Sequence, residues 1–188
     1  MPDDLMILAF DHRTTIKDKI FHVKKRVLSK REVRTIKEFK NIIYAGLKKA
    51  ISFGVDRKKV AVLCDEDFGS VVLKKAKKDK IMILLPVERS GSKIFFFNFH
   101  NYMDHINKFK PDYVKVLIFL NPETKISNII TLRNLKVLYY QLKKAKKKLL
   151  VEVLITPTPQ QLKKYGKDFF DRNIRPKHTL WAVSEIYR

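Results

Sequence analysis

Short apolar runs recur along this chain with room for at least one helix between each pair: 6–10, 59–64, 81–87, 114–120 and 149–155. Each is rich in Val, Ile, Leu or Phe and bounded by polar or turn-forming residues, as buried strands are. The stretches between them carry helical periodicity. Ser29 and Glu32 fit a capping box, and Val33, Ile36, Phe39, Ile43, Leu47 and Ile51 follow at three- and four-residue steps as far as Gly54. Val72 and Ala76 mark a shorter helix, Met103 to Phe109 another, and Ile126 to Lys147 a long one. Thr158-Pro159-Gln160-Gln161 opens a further helix with a capping threonine and a first-turn proline. Residues 14–29 mix helix and turn, Phe95 to Phe99 lie between strand and loop, and Thr179 to Ile186 complete the series as a sixth strand. Strands that alternate with amphipathic helices imply parallel βαβ units.

A doubly wound sheet and a βα barrel both produce this alternation. The first strand ends in Asp11-His12-Arg13, where a dinucleotide-binding fold would place Gly-x-Gly. Polar residues close almost every other strand too, the distribution of a barrel whose chemistry sits at strand C-termini. The expectation is an α/β barrel-type domain over 1–188 with about six βα units.

Lys and Arg total 41 against 19 Asp and Glu, a net charge of +22. That excess attracts nucleic acid or other anionic partners. Most of it is lysine, in runs such as Lys74 to Lys80 and Lys143 to Lys148 on expected helix surfaces, so solvated surface is favoured over a dedicated nucleic-acid site. No apolar run approaches the ~20 residues of a membrane span. Cys64 is the only cysteine, and the acidic start lacks the basic segment of a signal peptide, so the expectation is a cytoplasmic protein without membrane attachment. Cys64 reads as a small core residue, and His100 and His105 lack the companions a metal site needs, so neither a metal nor a cofactor is expected.

Lys115 and Glu152 each break an otherwise apolar strand. Side chains alternate across a strand, so Lys115 shares a face with Leu117 and Phe119. A buried charge is costly unless paired or functional, and a lysine–glutamate pair on adjacent strands fits either description.

Ala9-Phe10-Asp11-His12-Arg13, Asp65-Glu66-Asp67-Phe68-Gly69, Pro86-Val87-Glu88, Val114-Lys115-Val116-Leu117 and Leu150-Val151-Glu152-Val153 together resemble the aldolase-like domain fused to the deoxygluconokinase of bacterial inositol catabolism. That family is distantly similar to the class I tagatose-bisphosphate aldolases. The resemblance implies an aldolase-type TIM barrel, here truncated at its C-terminal end. It implies aldol cleavage of a phosphorylated keto sugar, with Glu152 as acid/base and Lys115 as the second active-site lysine. Asp11, His12, Arg13, Asp65 and Glu88 are the expected substrate-binding residues. The relatives' Schiff-base lysine lies on strand six, where this chain has Ala182, so ordinary class I activity is not expected. A sugar-phosphate-binding remnant and a basic nucleic-acid-associated protein are the alternatives. The missing strands imply self-association or a partner chain that completes the barrel.

Overall fold

The five apolar runs are strands: β1 (Met6–Ala9), β2 (Val60–Leu63), β3 (Met82–Pro86), β4 (Tyr113–Phe119) and β5 (Lys148–Leu154). The structure, a computed structural model, describes residues 4–23 and 27–188. Among them the strands form one parallel sheet ordered β1-β2-β3-β4-β5. Met6 to Ala9 lie in register with Val60 to Leu63, and Ala61 to Leu63 with Met82 to Leu84. An order that follows the chain without reversal is that of a barrel wall; a doubly wound sheet reverses at a switch point. The α/β class is as the alternation implied, and the topology is that of part of a barrel.

The chain divides into two units, Met1–Pro86 with Asn101–Val114, and Val87–His100 with Lys115–Arg188. In the first, α1 (Thr14–Lys19) leads to α2 (Lys30–Ser52), then α3 (Glu66–Lys78) and α4 (Tyr102–Phe109). The capping box at α2 is formed: Ser29 Oγ accepts from the Glu32 amide at 3.2 Å, and a Glu32 carboxylate oxygen accepts from the Ser29 amide at 2.8 Å. The buried face of α2 is rotated from the expected one. Ile36, Lys40 and Tyr44 are buried, whereas Phe39 and Ile43 remain 45% and 40% exposed. The reason is Lys40, whose amine is drawn inward by acceptors that local periodicity does not reveal.

In the second unit, α5 (Lys125–Lys144) buries Leu135, Leu138 and Leu142. After β5 come α6 (Pro159–Tyr165), α7 (Lys167–Phe169), a π-helical turn at Phe170–Ile174 and α8 (Arg175–Tyr187). The sixth strand expected at 179–186 is therefore helix. Its β-branched and aromatic residues favour a strand locally, but such propensity yields to context. Here helical backbone already runs through 167–174, and Pro176 occupies the first turn of α8. Ala182, placed by sequence on a strand facing a reaction centre, is a buried helical residue instead. It does not stand on a sixth strand, and in place of six βα units there are five strands among the described residues.

Candidate functional site

In the second unit the two charged residues that break β4 and β5 meet. Lys115 Nζ lies 2.9 Å from Glu152 Oε2 and 3.4 Å from Glu88 Oε1. Lys115 and Glu88 are buried, while the Glu152 side chain is 48% exposed because β5 is an edge strand. Strand alternation produces the arrangement. Val116 and Ile118 are fully buried on one face of β4, and Lys115 points to the other with the half-buried Leu117 and Phe119. The Val87 amide donates to the Lys115 carbonyl at 3.1 Å, which sets Glu88 beside the lysine.

The segment after Glu88 folds back over its own start. Glu88 and Phe97 form an antiparallel bridge, and the amides of Arg89 and Asn98 donate to the Phe96 and Val87 carbonyls. The Phe95 amide donates to Thr131 Oγ1 at 3.1 Å, and Asn134 donates to the Phe95 carbonyl at 2.7 Å, so α5 holds this loop. The aromatic run that lay between strand and loop is thus a loop bridged to the Glu88 backbone. Two carboxylates on one ammonium offer hydrogen-bond acceptors and a donor in one place, and the half-exposed Glu152 is the member that solvent reaches. A nucleophilic amine must be unprotonated, so imine chemistry at Lys115 would first require that its ion pairs be broken.

A separate polar network closes the far end of β4. Asn121 donates to the Thr156 carbonyl at 2.9 Å and to Gln161 Oε1 at 2.7 Å, and Asn128 donates to the Asn121 carbonyl at 2.7 Å. Gln161 also completes the capping box of α6, since its carbonyl oxygen accepts from the Thr158 amide at 2.9 Å. These amides are buried and bonded, which ties the ends of β4 and β5 to α5 and α6.

The other expected residues lie in the first unit, around a lysine that sequence reasoning missed. Lys40 is buried, and its amine donates to the Phe10 carbonyl at 2.6 Å, the His12 carbonyl at 3.3 Å and Asp65 Oδ2. Three acceptors match the three donors of an ammonium, so this is a structural tie among β1, α2 and α3. Asp65 is also the N-cap of α3, accepting from the Phe68 amide at 2.8 Å. Burial raises the Asp65 carboxyl above its ordinary range, against the pull of Lys40 and of the Phe68 amide. Arg13 is buried 3.6 Å from Asp67, and His105 Nδ1 lies 2.7 Å from Glu66. His12 contributes its backbone carbonyl here and carries an exposed side chain; Asp11 is half-buried. The signal for Lys40 was its position, four residues after Ile36 and four before Tyr44 on one helical stripe.

Cys64 is buried at the end of β2, and burial pushes its thiol well above the ordinary range, which makes it inert. Among the described residues no helix is long and apolar enough to cross a membrane. The sequence model of the family described as "Uncharacterized protein conserved in bacteria (DUF2090)" matches residues 1–180. No curated protein matches the chain.

Proposed function

The chain belongs to this uncharacterised bacterial family, and from that premise we propose that it carries a carbohydrate site of aldolase ancestry that binds a keto sugar or its phosphate without forming a Schiff base. The supporting observation is the convergence of Lys115, Glu152 and Glu88. Of the residues singled out by resemblance to the aldolase-like domain of inositol catabolism, Lys115 and Glu152 occupy adjacent strands and touch, with Glu88 beside the lysine. In this reading Lys115 orients the substrate carbonyl or hydroxyl groups as a hydrogen-bond donor. Glu152 accepts a substrate hydroxyl proton from the solvent side, and Glu88 holds Lys115 in place. The site itself sums to one negative charge, so a phosphate would sit away from it, on cations elsewhere in the chain.

Thermal shift against keto sugars, inositols and keto-sugar phosphates tests the proposal, together with borohydride reduction and peptide mass mapping. The expected result is a higher melting temperature with one of these ligands, lost in Lys115→Met and Glu152→Gln, and no mass added by borohydride. A panel without any shift would overturn the carbohydrate reading. A reduced adduct confined to Lys115 would instead make the protein a class I aldolase with a relocated nucleophile.

A further inference from the structure

In the first unit, the connections into β2, β3 and β4 all enter at the strands' N-terminal side, opposite the ends that carry Asp11, Asp65, Glu66 and Asp67. The incoming connections are basic. Arg57 and Lys58 precede β2, Lys78 and Lys80 precede β3, Lys108 and Lys110 precede β4, and all six are exposed. The acidic residues among them are engaged at home. Asp56 accepts from the Lys58 amide at 2.9 Å, Asp79 from the Tyr44 hydroxyl at 2.7 Å and Asp112 from the Ile83 amide at 2.8 Å. The patch is continuous: Lys77 donates to the Phe109 and Lys110 carbonyls at 2.9 and 2.8 Å, and Lys48 pairs with Asp79 at 3.3 Å.

The strand-exit side of this unit also carries Lys19, Lys30 and Arg31, but interleaved with Asp18, Glu32, Asp65, Glu66 and Asp67, whereas the acids of the entry connections are already bonded. The negative ends of α2, α3 and α4 reward cations in the last helical turn. That accounts for Lys78 and Lys108. It does not account for Lys80 and Lys110, which lie past the helix with φ of +57° and +46°, where glycine carries less backbone cost. At the end of α2, where the connection into β2 begins, Phe53 is 78% exposed with Lys49 Nζ 5.6 Å from its ring centre.

We propose that this strand-entry surface of the first unit binds single-stranded nucleic acid without sequence preference, its basic loops following the backbone and Phe53 stacking on a base. Neighbouring strands lie ~4.8 Å apart, so the loops present cations in a row, and a chain of phosphates with flat bases satisfies both the row and the ring. A lipid surface needs more inserted apolar area than one ring to hold a protein beyond electrostatic contact. The proposal uses none of the Lys115 residues and stands whether or not those bind a sugar.

The test is fluorescence anisotropy with a labelled oligo-dT 20-mer and an oligo-rU 20-mer over a salt titration. Lys78→Glu/Lys80→Glu/Lys110→Glu should weaken binding at least tenfold and reduce the log–log salt slope by about 2, at ~0.7 for each phosphate no longer neutralised. Lys163→Glu/Lys167→Glu/Lys177→Glu, with the same change in net charge, should weaken it less than threefold. Lys80→Gly/Lys110→Gly relieves backbone cost, so weaker binding by a variant of equal or higher melting temperature separates removal of the two cations from misfolding. Phe53→Ala should cost at least fivefold. Equal weakening in the two triple variants, an unchanged Phe53→Ala, no oligonucleotide binding, or tighter binding to phosphatidylserine vesicles in the same buffer would each overturn the proposal.

Discussion

Lys40 and Asp65 are buried together, and each makes the other tolerable. Removing one partner of a buried pair leaves an uncompensated charge, which costs about 3–5 kcal/mol. Asp65→Asn should therefore destabilise the chain by roughly that amount in urea unfolding. Lys40→Met should cost less, because the Asp65 carboxyl, already raised by burial, can take up a proton and keep its bond to the Phe68 amide. The pH dependence has a definite sign. A carboxyl raised in the folded state binds more protons there than in the unfolded chain, so its contribution is complete below the ordinary carboxylate pKa and lost as pH rises through the raised one. Lys40→Met should steepen that loss, and a flat profile between pH 4 and 8 would contradict the assignment. Gly69 makes a second residue-scale case: a Cβ there would lie 2.0 Å from Cys64 Sγ. Gly69→Ala should cost at least about 2 kcal/mol, as overpacking does, and Gly69→Ala combined with Cys64→Ala should recover most of it. An additive double variant would show that the sulfur is not the obstacle.

Helices, more than strands, carry the unexpected features at the scale of elements. The π-helical turn before α8 brings Phe170 and His178 together edge to face at 5.9 Å, with Phe170 fully buried. Desolvation lowers the His178 pKa, so the folded state binds fewer protons than the unfolded chain. Its stabilising contribution is present above the ordinary imidazole value of about 6.5 and is lost as pH falls through the lowered one. Urea midpoints at pH 7.5 and 5.5 should differ more for the native chain than for His178→Gln; equal differences would remove His178 from the account. On α2, Phe39, Ile42 and Ile43 form an exposed apolar stripe beside the buried one. Ile42→Lys should leave the melting temperature within about 1 °C, since surface changes away from special features stay within ±0.5 kcal/mol.

For the whole molecule, the strand order leaves β1 and β5 as the two edges of the sheet among the described residues. Met6, Ile7 and Leu154 are exposed apolar residues on those edges. Unpaired edges invite association, and a net charge of +22 opposes it between identical copies. Screening decides the balance, because the Debye length falls from ~10 Å at 0.1 M salt to ~3 Å at 1 M. Sedimentation velocity should show one monomeric species at low salt and a concentration-dependent larger species near 0.5 M, reduced by Ile7→Lys. A single monomer at both salts would argue against pairing with a second copy through these edges.

Strand positions, the capping boxes at Ser29 and Thr158, and the meeting of Lys115 with Glu152 were legible in the sequence. Each rests on local chemistry, on period-two alternation, or on a charge that an apolar strand cannot hide alone. The rotated face of α2 was not legible, because the acceptors that pull Lys40 inward come from residues about 25 to 30 positions away. The helix at 179–186 was not legible either: strand-favouring residues yielded to a helix already running into them. The basic runs were plain as composition, but their gathering at one end of the strands depends on parallel pairing, which brings connections distant in sequence to the same side. Local patterns therefore determined which segments become strands and which charges must find partners. Only the tertiary structure decided which partners they found, since long-range acceptors and strand order are properties of the folded chain.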